Sequence, residues 1–176
     1  LFEYGAGFPD FIEKFEPAAG LPYLSDVARL ERAWTEAYHE AEATPIGPAA
    51  FAEIGSDQLP TVRLVLHPSV RIVRSRFPVL TIWQMNVGGG IPAPVDLAAG
   101  GEDALVVRPE AVVEVRSIPQ GCADFIEALV SSRTVLAAFE EALVANPRFD
   151  LSASLTDLIQ IGALVGYELA PESIQA

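Results

Sequence analysis

The sequence predicts an α+β fold: a small, mostly antiparallel sheet covered by helices, with a helical amino-terminal part. Two observations carry this. Apolar residues recur at spacings of three and four over residues 22–43 and again beyond residue 120, which is helical periodicity. Residues 61–67 and 104–118 are instead short, β-branched and alternating, which is strand periodicity. The order helix, strands, helix, strands, helices, without an internal repeat, suits a sheet with helices packed on it. A chain of 176 residues that is 51% apolar can bury one core, and is too apolar for a disordered acidic tail. It divides into a helical part, residues 1–57, and an α+β domain, residues 58–176.

Taken in order, residues 10–15 form a short helix with Phe8, Phe11, Ile12 and Phe15 on its apolar side. Residues 22–43 form the longest helix. Leu24, Val27, Leu30, Trp34, Tyr38 and Ala41 make its core stripe, and Asp26, Arg29, Arg32, Glu36 and Glu40 its charged face. Pro22 suits the first turn, and Thr44-Pro45 ends the helix. Residues 48–54 give another short helix. Residues 61–67 form a strand with Val62, Leu64 and Leu66 on one face. Residues 70–77 group Val70, Val73 and Phe77 as a helix or Val73 and Phe77 as a strand; following a strand, they are assigned as its hairpin partner, turned at His67-Pro68-Ser69. Residues 78–86 read as a short buried helix ended by Gly88-Gly89-Gly90, and residues 91–103 as loop. Residues 104–108 and 112–118 form the clearest hairpin, turned at Pro109-Glu110-Ala111. Beyond Pro119, Phe125 and Leu129, then Val135, Leu136, Phe139 and Leu143, mark two helices, the second stopped by Asn146-Pro147. Asp150 caps a last helix carrying Leu151, Leu155, Leu158, Ile159 and Ala163.

Charge narrows the function. With 11 basic against 24 acidic residues the net charge is −13, which repels a polyanion, so nucleic acid is a poor partner. The uncharged stretch 77–95 holds three consecutive glycines and three prolines, so no membrane span is expected. A single cysteine, Cys122, excludes an internal disulfide and fits a reducing, cytoplasmic setting. Against that acidic background, Arg63, Arg71, Arg74 and Arg76 fall within 14 residues, in a region free of Asp and Glu. Either they form a positive surface for a partner or acidic peptide, or they pair with carboxylates of covering helices such as Glu31, Glu36 or Glu40.

Catalytic patterns are missing. His39 and His67 lack metal-ligand spacing, and Cys122 has no candidate base, so it reads as a small core thiol. No catalytic, cofactor-binding or metal-ligating residue is assigned. His67, before Pro68, marks a turn or a partner contact. Trp34 and Trp83 read as packing residues. A small antiparallel sheet has edges that can recruit an extended peptide by strand addition. Strand 112–118 alternates Val113 and Val115 with Glu114 and Arg116, so Val113, Val115 and Arg116 join the candidate binding residues.

Several blocks resemble the HvfC/BufC family: Phe2-Glu-Tyr-Gly-Ala-Gly-Phe-Pro-Asp-Phe11, Leu21-Pro-Tyr-Leu-Ser-Asp-Val-Ala-Arg-Leu-Glu31 with Trp34 and Ala37-Tyr38-His39, His67-Pro68, Arg74-Ser-Arg-Phe-Pro-Val79 with Ile82-Trp83, and Gly101-Glu-Asp through Val107-Arg-Pro109. The likeness is scattered over residues 1–130, and the family's leading helical segment is absent from the match. The resemblance implies a non-catalytic accessory subunit without cofactor or metal of its own. It would bind the leader of a ribosomally made precursor peptide and form a heterodimer with a multinuclear iron enzyme of the HvfB/MbnB type, similar in role to MbnC, for cysteine modification in making copper-binding peptides such as bufferins. The family's amino-terminal region is also labelled DNA-binding, which gives the alternative expectation of a transcriptional regulator whose DNA-contacting helices lie in the missing segment. A small enzyme built around His39 or His67 is a third reading.

Overall fold

The computed structural model describes residues 5–87, 91 and 93–169. Phe2, Glu3 and Tyr4 of the first resembling block, and the Gly88-Gly89-Gly90 helix stop, lie outside the described residues. Those described hold seven helices and five strands in the order α1 (Phe8–Lys14), α2 (Leu24–His39), α3 (Pro48–Phe51), β1 (Arg63–Leu66), β2 (Arg71–Ser75), α4 (Val79–Val87), β3 (Glu102–Val107), β4 (Glu114–Ile118), α5 (Cys122–Val130), α6 (Val135–Ala145), α7 (Leu151–Gln160) and β5 (Leu164–Glu168). The α+β class is as the periodicities predict, and every strand pairing is antiparallel.

The strands form two sheets rather than one: β2-β3-β4, and a separate pair β1-β5. The expected hairpin between β1 and β2 does not form. The connection is fastened elsewhere: the His67 amide donates to the Ala163 carbonyl, and the Arg108 amide donates to Ser69 Oγ. Both faces of β2 are also needed for packing, since Ile72 meets the core under α5, α6 and α7 while Val73 meets the core under α2 and α4. β2 is therefore an outer strand that is covered on both faces and pairs only with β3.

β5 was not expected, because the last helix was read through Ala163. The chain leaves α7 at Gly162, where φ is +72° and the Gly162 and Ala163 amides donate to the Ile159 and Leu158 carbonyls. These two bonds form a Schellman ending, whose left-handed residue favours glycine. Leu164, Gly166, Tyr167 and Glu168 then pair with β1, the register shifting at Val165. The expected cap of α7 is present: Asp150 accepts the Ala153 amide at 3.0 Å. Thr134 caps α6 in the same way, accepting the Ala137 amide at 3.3 Å.

The helix α2 is shorter than the expected 22–43, and its buried face is rotated from the predicted stripe. Leu30 and the small residues Ser25, Ala28, Ala33 and Ala37 are buried. Small side chains let the helix axis lie close to β2 and β3, so the bulky Trp34 and Tyr38 ride on its shoulder, with Tyr38 51% exposed. On the charged face, Arg29 bonds Asp26 and Arg32 bonds Glu36, as the spacing predicts.

Candidate functional site

Strand β4 is an outer strand of its sheet. Val106 faces Val115, Leu105 faces Arg116 and Asp103 faces Ile118 across the ladder to β3. On its other side β4 makes no backbone hydrogen bond to any described residue. Pleating divides its side chains. Val115, together with Val113 just before the strand, packs on the α2/α4 core, whereas Glu114, Arg116 and Ile118 lie on the α5/α7 side with Leu105 and Val107.

Beside that second face lies a cavity of about 260 Å³ between β4, α5 and α7. Leu105, Ile118, Phe125, Ile126, Leu158 and Ile161 form its apolar wall. Arg116, Cys122, Ser154 and Asp157 supply its polar groups. Cys122 lies 3.2 Å from Ser154 Oγ, and burial pushes its thiol pKa up, so it stays protonated and behaves as the small core thiol that the sequence suggests. At the rim Arg116 donates to Glu114 Oε2 at 2.6 and 3.1 Å. Both partners are exposed, so this pair is worth less than about 1 kcal/mol and can be exchanged for another carboxylate.

The four arginines do not make one positive surface. Arg63 lies on β1 and Arg76 just past β2, while Arg71 and Arg74, three residues apart on β2, leave on opposite faces of the sheet. Arg71 meets α2, bonding Glu36 at 3.2 Å and Glu40 at 2.6 Å. That bond holds the Glu40 carboxyl below its usual range. Arg74 meets α5, with Asp124 at 3.0 and 3.2 Å and Glu127 at 3.5 Å, and Asp103 of β3 at 3.6 Å. The Asp124 bonds raise the Arg74 pKa. Asp103 is nevertheless raised, because its burial outweighs the attraction of Arg74. Arg76 sits 4.9 Å from the Phe77 ring centroid, and Arg63 faces Glu168 in the β1-β5 register. Of the carboxylates expected to meet these arginines, Glu36 and Glu40 do so and Glu31 does not.

His67 is also corrected. It is 1% exposed, so no partner reaches it. Nδ1 accepts from the Ser69 amide at 3.1 Å and lies 2.7 Å from Ser69 Oγ, while Nε2 lies 3.3 Å from the Ala43 carbonyl. The ring therefore carries its proton on Nε2 and fixes the turn, which is the other role its position before Pro68 suggested. Its burial lowers its pKa.

The sequence names Val115 and Arg116 by their alternation, but neither the outer position of their strand nor the cavity beside them. Its walls join the neighbouring β4 and α5 to α7, a separate helix further along the chain, and no local spacing announces that they meet. No group of three or more His, Cys, Asp or Glu able to hold a metal ion occurs among the described residues. Nor is any helix among them long and apolar enough to cross a membrane. The chain matches no protein-family model and no curated protein.

Proposed function

We propose that this chain is a non-catalytic accessory subunit of a cytoplasmic peptide-modification system. It binds the leader of a ribosomally made precursor peptide and pairs with a multinuclear iron enzyme of the HvfB/MbnB type, which carries out cysteine modification toward a copper-binding product. The observation that supports this best is the unpaired outer edge of β4 running beside an apolar cavity. An extended leader adds to β4 through main-chain hydrogen bonds, which need no particular sequence. Its alternate side chains then point to the α5/α7 side, where one aliphatic or aromatic residue enters the cavity and an acidic neighbour takes Arg116 from Glu114. The edge supplies affinity and the cavity supplies choice.

The transcriptional alternative draws less support. Arg71 and Arg74 are already engaged by carboxylates of this chain, and the acidic whole repels a phosphate backbone.

Co-expression tests the proposal. The chain, tagged and produced with an iron enzyme of this type and its precursor, is expected to retain both through purification. Alone it is expected to hold no stoichiometric iron and to show no turnover. Arg116→Glu, an exposed substitution, should weaken leader binding by roughly fivefold or more. Loss of neither partner's retention in a β4 variant, or turnover by the isolated chain, would overturn the reading.

A further inference from the structure

A second cavity, about 440 Å³ and open to solvent, lies between α2 and α4. Its lining is Glu31, Trp34 and Thr35 from α2 with Trp83 and Val87 from α4. These tryptophans are the only two in the chain. Trp34 is placed by the rotation of α2 described above: the helix buries alanines against the sheet and leaves its large ring on the shoulder, at the same cavity as Trp83 of α4.

Neither indole is loose. Trp34 stacks on Tyr38, with centroids 5.5 Å apart and planes within 6°, and Trp83 packs partly on the Val79–Val106 core. The walls are therefore held in place before anything binds. Glu31 stands at the same cavity. Asp26, Glu36 and Glu40 on the same helix are taken by Arg29, Arg32 and Arg71, whereas the Glu31 carboxylate has no hydrogen bond or ion pair among the described residues. No Arg or Lys lines the cavity.

We infer that this cavity receives an arginine side chain presented by a protein partner. Indole faces attract a cation through their quadrupole, most strongly where water is partly excluded. The guanidinium is planar, weakly hydrated and forked, so it can lie on an indole while directing two N–H groups at a carboxylate; a lysine ammonium can do only the second well. A purely apolar occupant would cover Glu31 without pairing it, at a desolvation cost. The acidic field of the whole chain favours the same sign of ligand.

The reporter is built in, because tryptophan emission comes only from these two rings. The full chain is titrated with acetyl-Gly-Arg-Gly-amide at constant ionic strength, with the citrulline peptide as its neutral counterpart. A saturable change in emission is expected for the arginine peptide, with half-saturation on the order of 1–10 mM for a single side chain. Glu31→Gln, at an exposed position, should weaken it by about two- to fivefold. Trp34→Leu, with Trp83 left as reporter, should remove saturation while far-ultraviolet circular dichroism stays unchanged. A citrulline curve equal to the arginine curve, a Glu31→Gln curve equal to the wild type, or no saturable change for the arginine peptide would each overturn the assignment.

Discussion

Replacing Arg108 with methionine tests how the helical amino-terminal part is joined to the sheet. Arg108 directly follows β3, is 5% exposed, and reaches across to the end of α2. Nε donates to the Ala37 carbonyl at 3.0 Å, one terminal nitrogen donates to the Glu40 carbonyl at 2.6 Å, and the other donates to the Glu110 carbonyl at 2.9 Å and to Glu42. It thus supplies donors and positive charge to the open carbonyl end of α2. The three bonds to main-chain carbonyls, from a charged donor, give an upper bound of roughly 5–9 kcal/mol. Removing the guanidinium also removes the cost of burying it, which is several kcal/mol. What methionine cannot restore is the shorter of the two bonds to the Ala37 carbonyl: Arg108 Nε donates at 3.0 Å, whereas the Glu40 amide that remains donates at 3.4 Å, and Ala37 is 0% exposed. A buried acceptor left with only that long bond costs at most about 1–3 kcal/mol, and loss of the charge at the helix end adds about 0.3–1 kcal/mol. The net expectation is a loss of about 1–4 kcal/mol. Urea unfolding followed by circular dichroism should show the midpoint falling by about 0.5–2 M with the slope unchanged. Glu42→Gln should cost less than about 1 kcal/mol, because the Glu42 side chain is 76% exposed. A loss below about 1 kcal/mol for Arg108→Met, or an equal loss for Glu42→Gln, would refute the assignment of the buried carbonyls as the important partners.

Three further outcomes follow from particular groups. The pKa of His67 is lowered by burial, so the unfolded chain binds its proton first. Its contribution to stability is complete above the unfolded value of about 6.5 and is lost as pH falls from there through the lowered folded value. Urea midpoints between pH 7.5 and 5 should therefore decline, and His67→Asn should flatten that decline while lowering stability at pH 7.5. Gly162→Ala should destabilise by about 1–2 kcal/mol from the left-handed backbone alone, and by more because the added carbon would meet Pro109 Cβ at 2.7 Å. At the end of α5, Ser132 holds the same left-handed position with φ +58°, its amide bonding Leu129 and that of Arg133 bonding Ala128. Ser132→Gly should raise thermal stability by about 0.5–1 kcal/mol, visible as a melting increase of a few degrees.

How far the sequence could be read depended on how local the determining physics was. Asp150 as a cap, the β3-β4 hairpin and the helices after Pro119 rest on contacts within a few residues, and all are found. The partners of β1 and β2 rest on tethers between His67 and Ala163 and between Ser69 and Arg108, separated by tens of residues, and no spacing in the strands encodes them. The predicted α2 stripe follows the large apolar residues, which, Leu30 apart, are not the ones this helix buries. At a close helix–sheet contact the alanines are buried instead. At the candidate site, the alternation of Val115 and Arg116 was legible, while their edge position was not, since an edge is defined by the strand that is missing. Arg108 was invisible as a fastening, because its partners are main-chain carbonyls that carry no sequence signal.

The central claim is that the outer edge of β4 receives an extended peptide. Hydrogen–deuterium exchange on the chain alone and in its complex with the precursor measures this at the amides concerned. The account predicts slowed exchange concentrated in Glu114–Ile118, together with protection of Cys122 from alkylation as the neighbouring cavity fills. A complex that forms while Glu114–Ile118 exchange as fast as in the free chain would contradict it.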